Sequence, residues 1–149
     1  MRATVQRVRR ARVTVEGRTA GEIGPGLLVY VGVAADDGPD DVDYLVDKIS
    51  HLRIFNDDDG KMNRSIRQAG GAVLVISAFA LQGDARKGRR PSFDAAAAPE
   101  KANGLYEQLC NALAAAGLTV RRGVFRAAME VESLNVGPVC ILLDSRRVF

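Results

Sequence analysis

Residues 27–33 read "LLVYVGV", and their reading decides the fold. A strand with one wet face alternates apolar and polar residues, and this run does not. It therefore predicts a strand buried on both faces. Downstream, "DGPDD" (37–41) starts a helix. Val42, Leu45, Val46, Ile49 and Leu52 fall at i, i+3, i+4, i+7 and i+10, which is one helical face. His51, the sole histidine, lies beside that stripe and reads as a packed or surface side chain rather than a catalytic one. Upstream, "ATVQRV" (3–8) and "RVTVE" (12–16) place Val and Thr on a period of two, as strands do. Glu16–Gly17 begins a turn, and "AGEIGPG" (20–26) reads as loop.

The second buried strand is "AVLVISAFAL" (72–81), with "SAFAL" as its end. A helix over 100–116 carries Ala102, Leu105, Tyr106, Leu109 and Leu113 on one face. Cys110 sits at the edge of that face as core filler, and Gly117 ends the helix. Residues 118–125, 128–134 and 139–144 read as further strands. Seven or so strands with two principal helices, grouped rather than strictly alternating, argue an α+β fold. No repeat or linker divides the chain, so residues 1–149 form one domain.

Apolar residues make up 47% of the chain, enough for a core, and no apolar run approaches the ~20 residues that span a bilayer. The arginine-bearing start lacks the apolar segment of a signal peptide, so a cytoplasmic location is expected. Cys110 and Cys140 form no CxxC or Cys/His cluster; reduced thiols and no metal site are expected. The acidic turn "NDDDGK" (56–61) does not fit an EF-hand loop, because Phe55 falls at the first ligand position and no glutamate follows Gly60 by six.

Net charge is +3, and arginines cluster at 7–12, 86–90, 121–122 and 146–147. Such clusters read either as solvated surface or as phosphate-binding sites, since the guanidinium fork matches a phosphate. The best candidate for phosphate binding is "RKGRRPSF" (86–93), with Arg86, Lys87, Arg89 and Arg90 in a loop marked by Gly88 and Pro91.

The familiar catalytic constellations are missing. There is no GxSxG, no phosphate-binding GxxxxGK[ST], no HExxH and no GxGxxG. Ser77 lacks a base, because the only histidine lies on a distant helix. Cys140 is a better intrinsic nucleophile, but nothing near it in sequence would activate it. Gly137–Pro138 falls where one strand gives way to the next, as an ordinary turn or as a cis X–Pro bond.

The segments "MRATVQRVRRARVTV", "GEIGPGLLVYVGVA", "DKISHLRIFND", "GKMNRSI", "SAFAL", "RKGRRPSFDAAAAPE", "YEQL" and "NVGPVC" follow one another in an order and spacing that resembles the D-aminoacyl-tRNA deacylases. The likeness runs nearly end to end. It implies a β-rich α+β domain of mixed, barrel-like sheets with two main helices packed on them. It also implies a homodimer, without cofactor or metal, that hydrolyses the ester between a D-amino acid and the 3′ end of tRNA. Glycyl-tRNA mischarged on tRNA(Ala) is an expected second substrate. Two family motifs carry the site, Ser-Gln-Phe-Thr-Leu and Asn-x-Gly-Pro-Val-Thr. By resemblance, Ser77, Ala78, Phe79 and Ala80 occupy the catalytic segment. The residues matching Gly137 and Pro138 form a cis peptide that enters the partner's pocket, holds the substrate's amino group and leaves no room for an L side chain. The family arginine matching Arg7 braces that peptide, side chains matching Phe125 and Met129 line the pocket, and Cys140 is expected with them among the substrate-binding residues.

Three positions depart from the motifs: Ala78 for Gln, Ala80 for Thr and Cys140 for Thr. A mechanism needing a hydroxyl at position 80 fails here, whereas one needing only main-chain N–H groups survives. Chemistry favours the second, because an aminoacyl ester is already activated and needs mainly orientation, oxyanion donors and water. Three readings stand: an active deacylase, a weakened relative that binds tRNA ends without turnover, and a basic protein unrelated to tRNA.

Overall fold

The computed structural model describes residues 1–149. Its sheet is organised around one long strand, β1 (Arg2–Val15), which pairs antiparallel with β2 (Arg18–Ile23), β3 (Gly26–Gly32) and β8 (Glu130–Asp144). The two strands read at 3–8 and 12–16 are thus one. Glu16 and Gly17 take positive φ at the β1–β2 turn. The loop read at 20–26 is instead largely strand. Gly21 explains why its composition misleads: a Cβ there would stand 2.7 Å from the Arg122 carbonyl oxygen, so β2 packs against the backbone across the curl of the sheet.

On the far side of β3 the pairing becomes parallel, to β6 (Ala72–Ser77) and then β7 (Thr119–Arg122). Parallel neighbours need long crossovers, and helices supply them. The first runs through α1 (Pro39–His51), the small hairpin β4 (Phe55–Asn56) and β5 (Met62–Arg64), and the single turn α2 (Ile66–Ala69). The second runs through α3 (Pro99–Ala115). The acidic turn at 56–61 is the hairpin's bend, where Asp57 accepts from the backbone N–H groups of Asp59 and Lys61, each at 2.9 Å. The segment after β7 leaves the sheet at Gly123, and the strands read at 128–134 and 139–144 are one continuous β8.

Both faces of β3 are buried. Leu27, Val29 and Val31 face the helices with Leu45, Ile49, Val73, Val75, Leu109 and Leu113. Leu28 turns the other way, with Val8, Val13, Ile23, Leu74 and Ile76 filling the curl. The result is an α+β domain with two main helices on one side of a barrel-like mixed sheet. Cys110 is fully buried, and burial pushes its thiol up to about 11. His51 is exposed and pairs with Asp47 at 3.1 Å. No helix is long and apolar enough to cross a membrane.

The β3–β6 junction has no spare volume. A Cβ on Gly26 would lie 1.8 Å from the Ala72 carbonyl oxygen, while one on Gly24 meets nothing within 4 Å. Gly26→Ala is expected to destabilise the fold by at least about 1–3 kcal/mol, the usual scale of overpacking. Gly24→Ala is expected to change it by less than about 0.5 kcal/mol, as at other unencumbered surface sites. Urea unfolding midpoints of the two variants check the contrast.

Candidate functional site

The strand β6 delivers the chain to Ser77, where the ladder with Val31 ends. The Ala78 N–H still donates to the Val31 carbonyl at 2.8 Å. The chain then coils into a 3₁₀ turn, Phe79–Gln82, so "SAFAL" is not the continuation of the strand. Leu81 donates to Ala78 at 3.1 Å and Gly83 to Ala80 at 3.0 Å. The first of these bonds belongs to Leu81, so the N–H groups of Phe79 and Ala80 precede it and have no partner within the turn. Buried Gln82 pins the turn to β3 through a 2.8 Å bond from Nε2 to the Gly32 carbonyl.

A cavity of about 680 Å³ opens beside this turn. Ser77, Ala78, Phe79 and Ala80 form one wall; Tyr30, Ile76, Met129 and Val131 another; Phe93, Ala96, Ala97, Phe125 and Arg126 much of the rest. The Phe79 ring, 62% exposed, stands edge-on to Phe93 with centroids 5.0 Å apart. The lining contains no histidine, aspartate, glutamate or lysine. Its polar groups are the Ser77 hydroxyl, the Tyr30 phenol, the Arg126 guanidinium and the main chain. Burial raises the Tyr30 phenol above its ordinary range, so it is neutral near pH 7, as an unshifted phenol also would be. Side-chain base catalysis therefore has no candidate here; the groups left to polarise a bound carbonyl are main-chain N–H donors, the Ser77 and Tyr30 hydroxyls and the Arg126 guanidinium. No three His, Cys, Asp or Glu side chains converge to hold a metal ion.

The structure thus brings together six of the residues singled out in the sequence: Ser77, Ala78, Phe79, Ala80, Phe125 and Met129. Arg7, Gly137, Pro138 and Cys140 form a second cluster where β8 parts from β1. The pairing runs Gln6↔Cys140 on one side and Val8↔Asn135 on the other, and the strand bulges between them. Arg7 fills the gap. Its Nε donates to the Val136 carbonyl at 3.0 Å, and its Nη1 to the Ile54 carbonyl at 2.7 Å and to Asn56 Oδ1 at 3.2 Å. Asn135 closes the bulge from below, accepting from the Val139 N–H at 2.8 Å and donating to its carbonyl at 2.9 Å. The Gly137–Pro138 bond is cis, and both residues are exposed. Gly137 has a φ of +132, and a Cβ there would meet Val139 Cγ2 at 2.8 Å and Arg7 Nη2 at 3.0 Å. Neither Gly137 nor Pro138 lines the cavity of its own chain.

The basic loop is closed at its base by the bridge Asp84↔Ser92. Hydrogen bonding and ion pairing with Arg86 at 2.6 Å hold the Asp84 carboxyl at about 2. Lys87, Arg89 and Arg90 are exposed and carry no carboxylate partner of this kind. The loop leads directly into Phe93 on the cavity wall.

Tyr30, Phe93 and Arg126 are site residues that the sequence reading did not single out. Tyr30 interrupts an otherwise aliphatic run, and Arg126 stands between Phe125 and Met129. Both signals were legible, but only the folded chain shows that they share a cavity.

The family model described as D-Tyr-tRNA(Tyr) deacylase matches residues 4–144. The D-aminoacyl-tRNA deacylase of Anaeromyxobacter dehalogenans is 60% identical over 149 residues, covering 100% of each chain. That of Symbiobacterium thermophilum is 55% identical, covering 100% of this chain and 99% of its own. Among solved structures, the c-Myc DNA Unwinding Element Binding Protein superposes with a TM-score of 0.91 at 37% identity, over 97% of this chain and 98% of that one. A probable eukaryotic D-amino acid tRNA deacylase shares the fold at a TM-score of 0.81 and 18% identity, over 95% of this chain and 97% of that one. The chain belongs to the D-Tyr-tRNA(Tyr) deacylase family, hydrolases that act on aminoacyl-tRNA.

Proposed function

We propose that this chain hydrolyses the ester of D-aminoacyl-tRNA, and of glycyl-tRNA mischarged on tRNA(Ala), as a cytoplasmic homodimer, and rejects the L ester. The observation that carries the reading is an apolar cavity walled by a turn whose first two N–H groups lack partners within it, with no side-chain base in reach. That site suits an activated ester. The N–H groups of Phe79 and Ala80 take the developing oxyanion, a donor type worth about 3–4 kcal/mol of barrier each. The walls orient the carbonyl toward water, and the vicinal ribose hydroxyl assists. Alanine at positions 78 and 80 keeps the N–H and gives up only the side chain.

The bulge of one protomer completes the cavity of its partner. Gly137 and Pro138 are exposed and absent from their own cavity, so a second copy is the route by which they reach the substrate. There they hold the amino group and leave the L side chain no space. A glycyl ester has no side chain and passes the same filter. Ala78, Ala80 and Cys140 favour one rival, a binding protein whose site has lost turnover. Single-turnover deacylation of one D-aminoacyl-tRNA and its L counterpart separates the two: hydrolysis of the D ester alone supports the proposal, and inertness toward both gives the rival the case. Light scattering that finds a 16.0 kDa particle at micromolar concentration removes the dimer.

Gly137→Ala is expected to lower D-ester hydrolysis by about a hundredfold, roughly 2.7 kcal/mol of barrier, while leaving the chain folded. The added methyl group has to displace Val139 or Arg7. Deacylation rates alongside circular dichroism check it, and a full rate from the variant removes Gly137 from the site.

Replacing Arg86, Lys87, Arg89 and Arg90 with alanine is expected to weaken binding to different tRNAs about equally. It is also expected to flatten the plot of log affinity against log salt by up to roughly 0.7–0.9 per lost phosphate contact. Titrations at three salt concentrations read the slope, which stays unchanged if the loop does not touch the backbone.

A further inference from the structure

Arg126 is the sole charged side chain lining the cavity. It is also one of only three non-glycine residues with positive φ, at +64. It occupies the third position of a turn closed by the Ala127 N–H donating to the Val124 carbonyl at 3.2 Å. A left-handed residue at that place in a turn is ordinarily glycine, because a Cβ crowds the backbone there. Strained backbone of this kind is tolerated where it serves a site. The guanidinium has no protein partner either. Arg9, Arg10, Arg18, Arg67, Arg89 and Arg90 are likewise without a carboxylate partner, but of these arginines Arg126 alone lines the cavity. A cation is thus presented from a costly conformation, exposed at the rim of a largely apolar cavity, with its donors unused.

We propose that Arg126 grips the phosphodiester preceding the terminal nucleoside of the tRNA ester, and so positions that nucleoside against the apolar walls. The inference rests on the proposed deacylase reading. A guanidinium donates two parallel bonds to a phosphate, and those charged bonds are among the stronger ones available. The phosphate is favoured over a carboxylate on the amino acid for two reasons. Every tRNA ester carries the phosphate whatever its amino acid, and Arg126 is exposed at the rim rather than enclosed with the walls. Arg126 is a binding residue in this account and takes no part in bond breaking.

The test uses Arg126→Gly and Arg126→Lys with two substrates, D-tyrosyl-tRNA and the phosphate-free ester D-tyrosyl-adenosine. Glycine relieves the backbone and removes the grip, so Tm is expected to rise while KM for the tRNA ester rises about tenfold, the scale of a lost charged hydrogen bond. The rise for D-tyrosyl-adenosine is expected to be much smaller. Lysine keeps a point charge and is expected to recover part of the KM. Equal KM changes on both substrates overturn the phosphate contact. An effect confined to D-aspartyl or D-glutamyl esters overturns it in favour of a side-chain carboxylate. Wild-type inertness toward the tRNA ester defeats the hydrolase reading instead. In that event, binding of a tRNA 3′-end oligonucleotide with and without its last phosphate decides for Arg126. Phosphate-dependent weakening in Arg126→Gly sustains the contact, and its absence overturns it.

Discussion

The mismatch in length between β1 and β8 governs how the second cluster is built. Between the paired positions Gln6 and Val8 lies one residue, Arg7; between their partners Asn135 and Cys140 lie four, 136–139. The excess of three cannot stay in a flat ladder and must leave the sheet. Leaving exposes backbone groups that the ladder would have satisfied, and these need other partners. Arg7 and Asn135 supply them, one from each strand, through bonds of 2.8–3.0 Å to Val136 and Val139. The protrusion at Gly137–Pro138 is therefore held on both flanks rather than left as a slack loop. Arg7 also ties it to Ile54 and Asn56, so the β4–β5 hairpin shares in fixing its position.

The same economy shapes the cavity. The strand β6 is covered on both faces, by the helices at Val73 and Val75 and by the curled sheet at Leu74 and Ile76. Its end is packed on both sides, and the turn that follows is tied to β3 by the Gln82–Gly32 and Ala78–Val31 bonds. Preorganised N–H donors need this kind of support, because a donor that must reorient during reaction loses most of its advantage.

What the sequence made legible follows from where tertiary packing agreed with local pattern. The double-sided burial of 27–33 and the stripes of α1 and α3 were readable because each buries a face wide enough to leave a period. The strand β2 was not, since "RTAGEI" has no alternation and is held by pairing with β1 and the close approach at Gly21. "SAFAL" read as strand because Phe79 and Leu81 are apolar, yet Phe79 is exposed for the sake of the cavity and Phe93. The strand break read at Gly137–Pro138 was a bulge, because register against β1 is invisible from one strand alone. The roles expected of residues 77–80 and of Gly137–Pro138 came only through resemblance. Composition and spacing point to phosphate binding at 86–93 but to no catalytic group.

That silence has a physical origin. Sequence motifs for catalysis mark side chains whose chemistry demands a residue type, such as a histidine base or a thiolate. Here the groups in the proposed catalytic role are main-chain N–H donors, which every residue but proline carries. Alanine at positions 78 and 80 therefore departs from the motif in the sequence, while in the structure it leaves the main-chain N–H groups of the turn in place. What such a site constrains is geometry: where β6 ends, how the turn is pinned, and which walls exclude water. These are properties of Gly32, Gln82 and Val31 as much as of the turn itself, and none of them carries a catalytic signature.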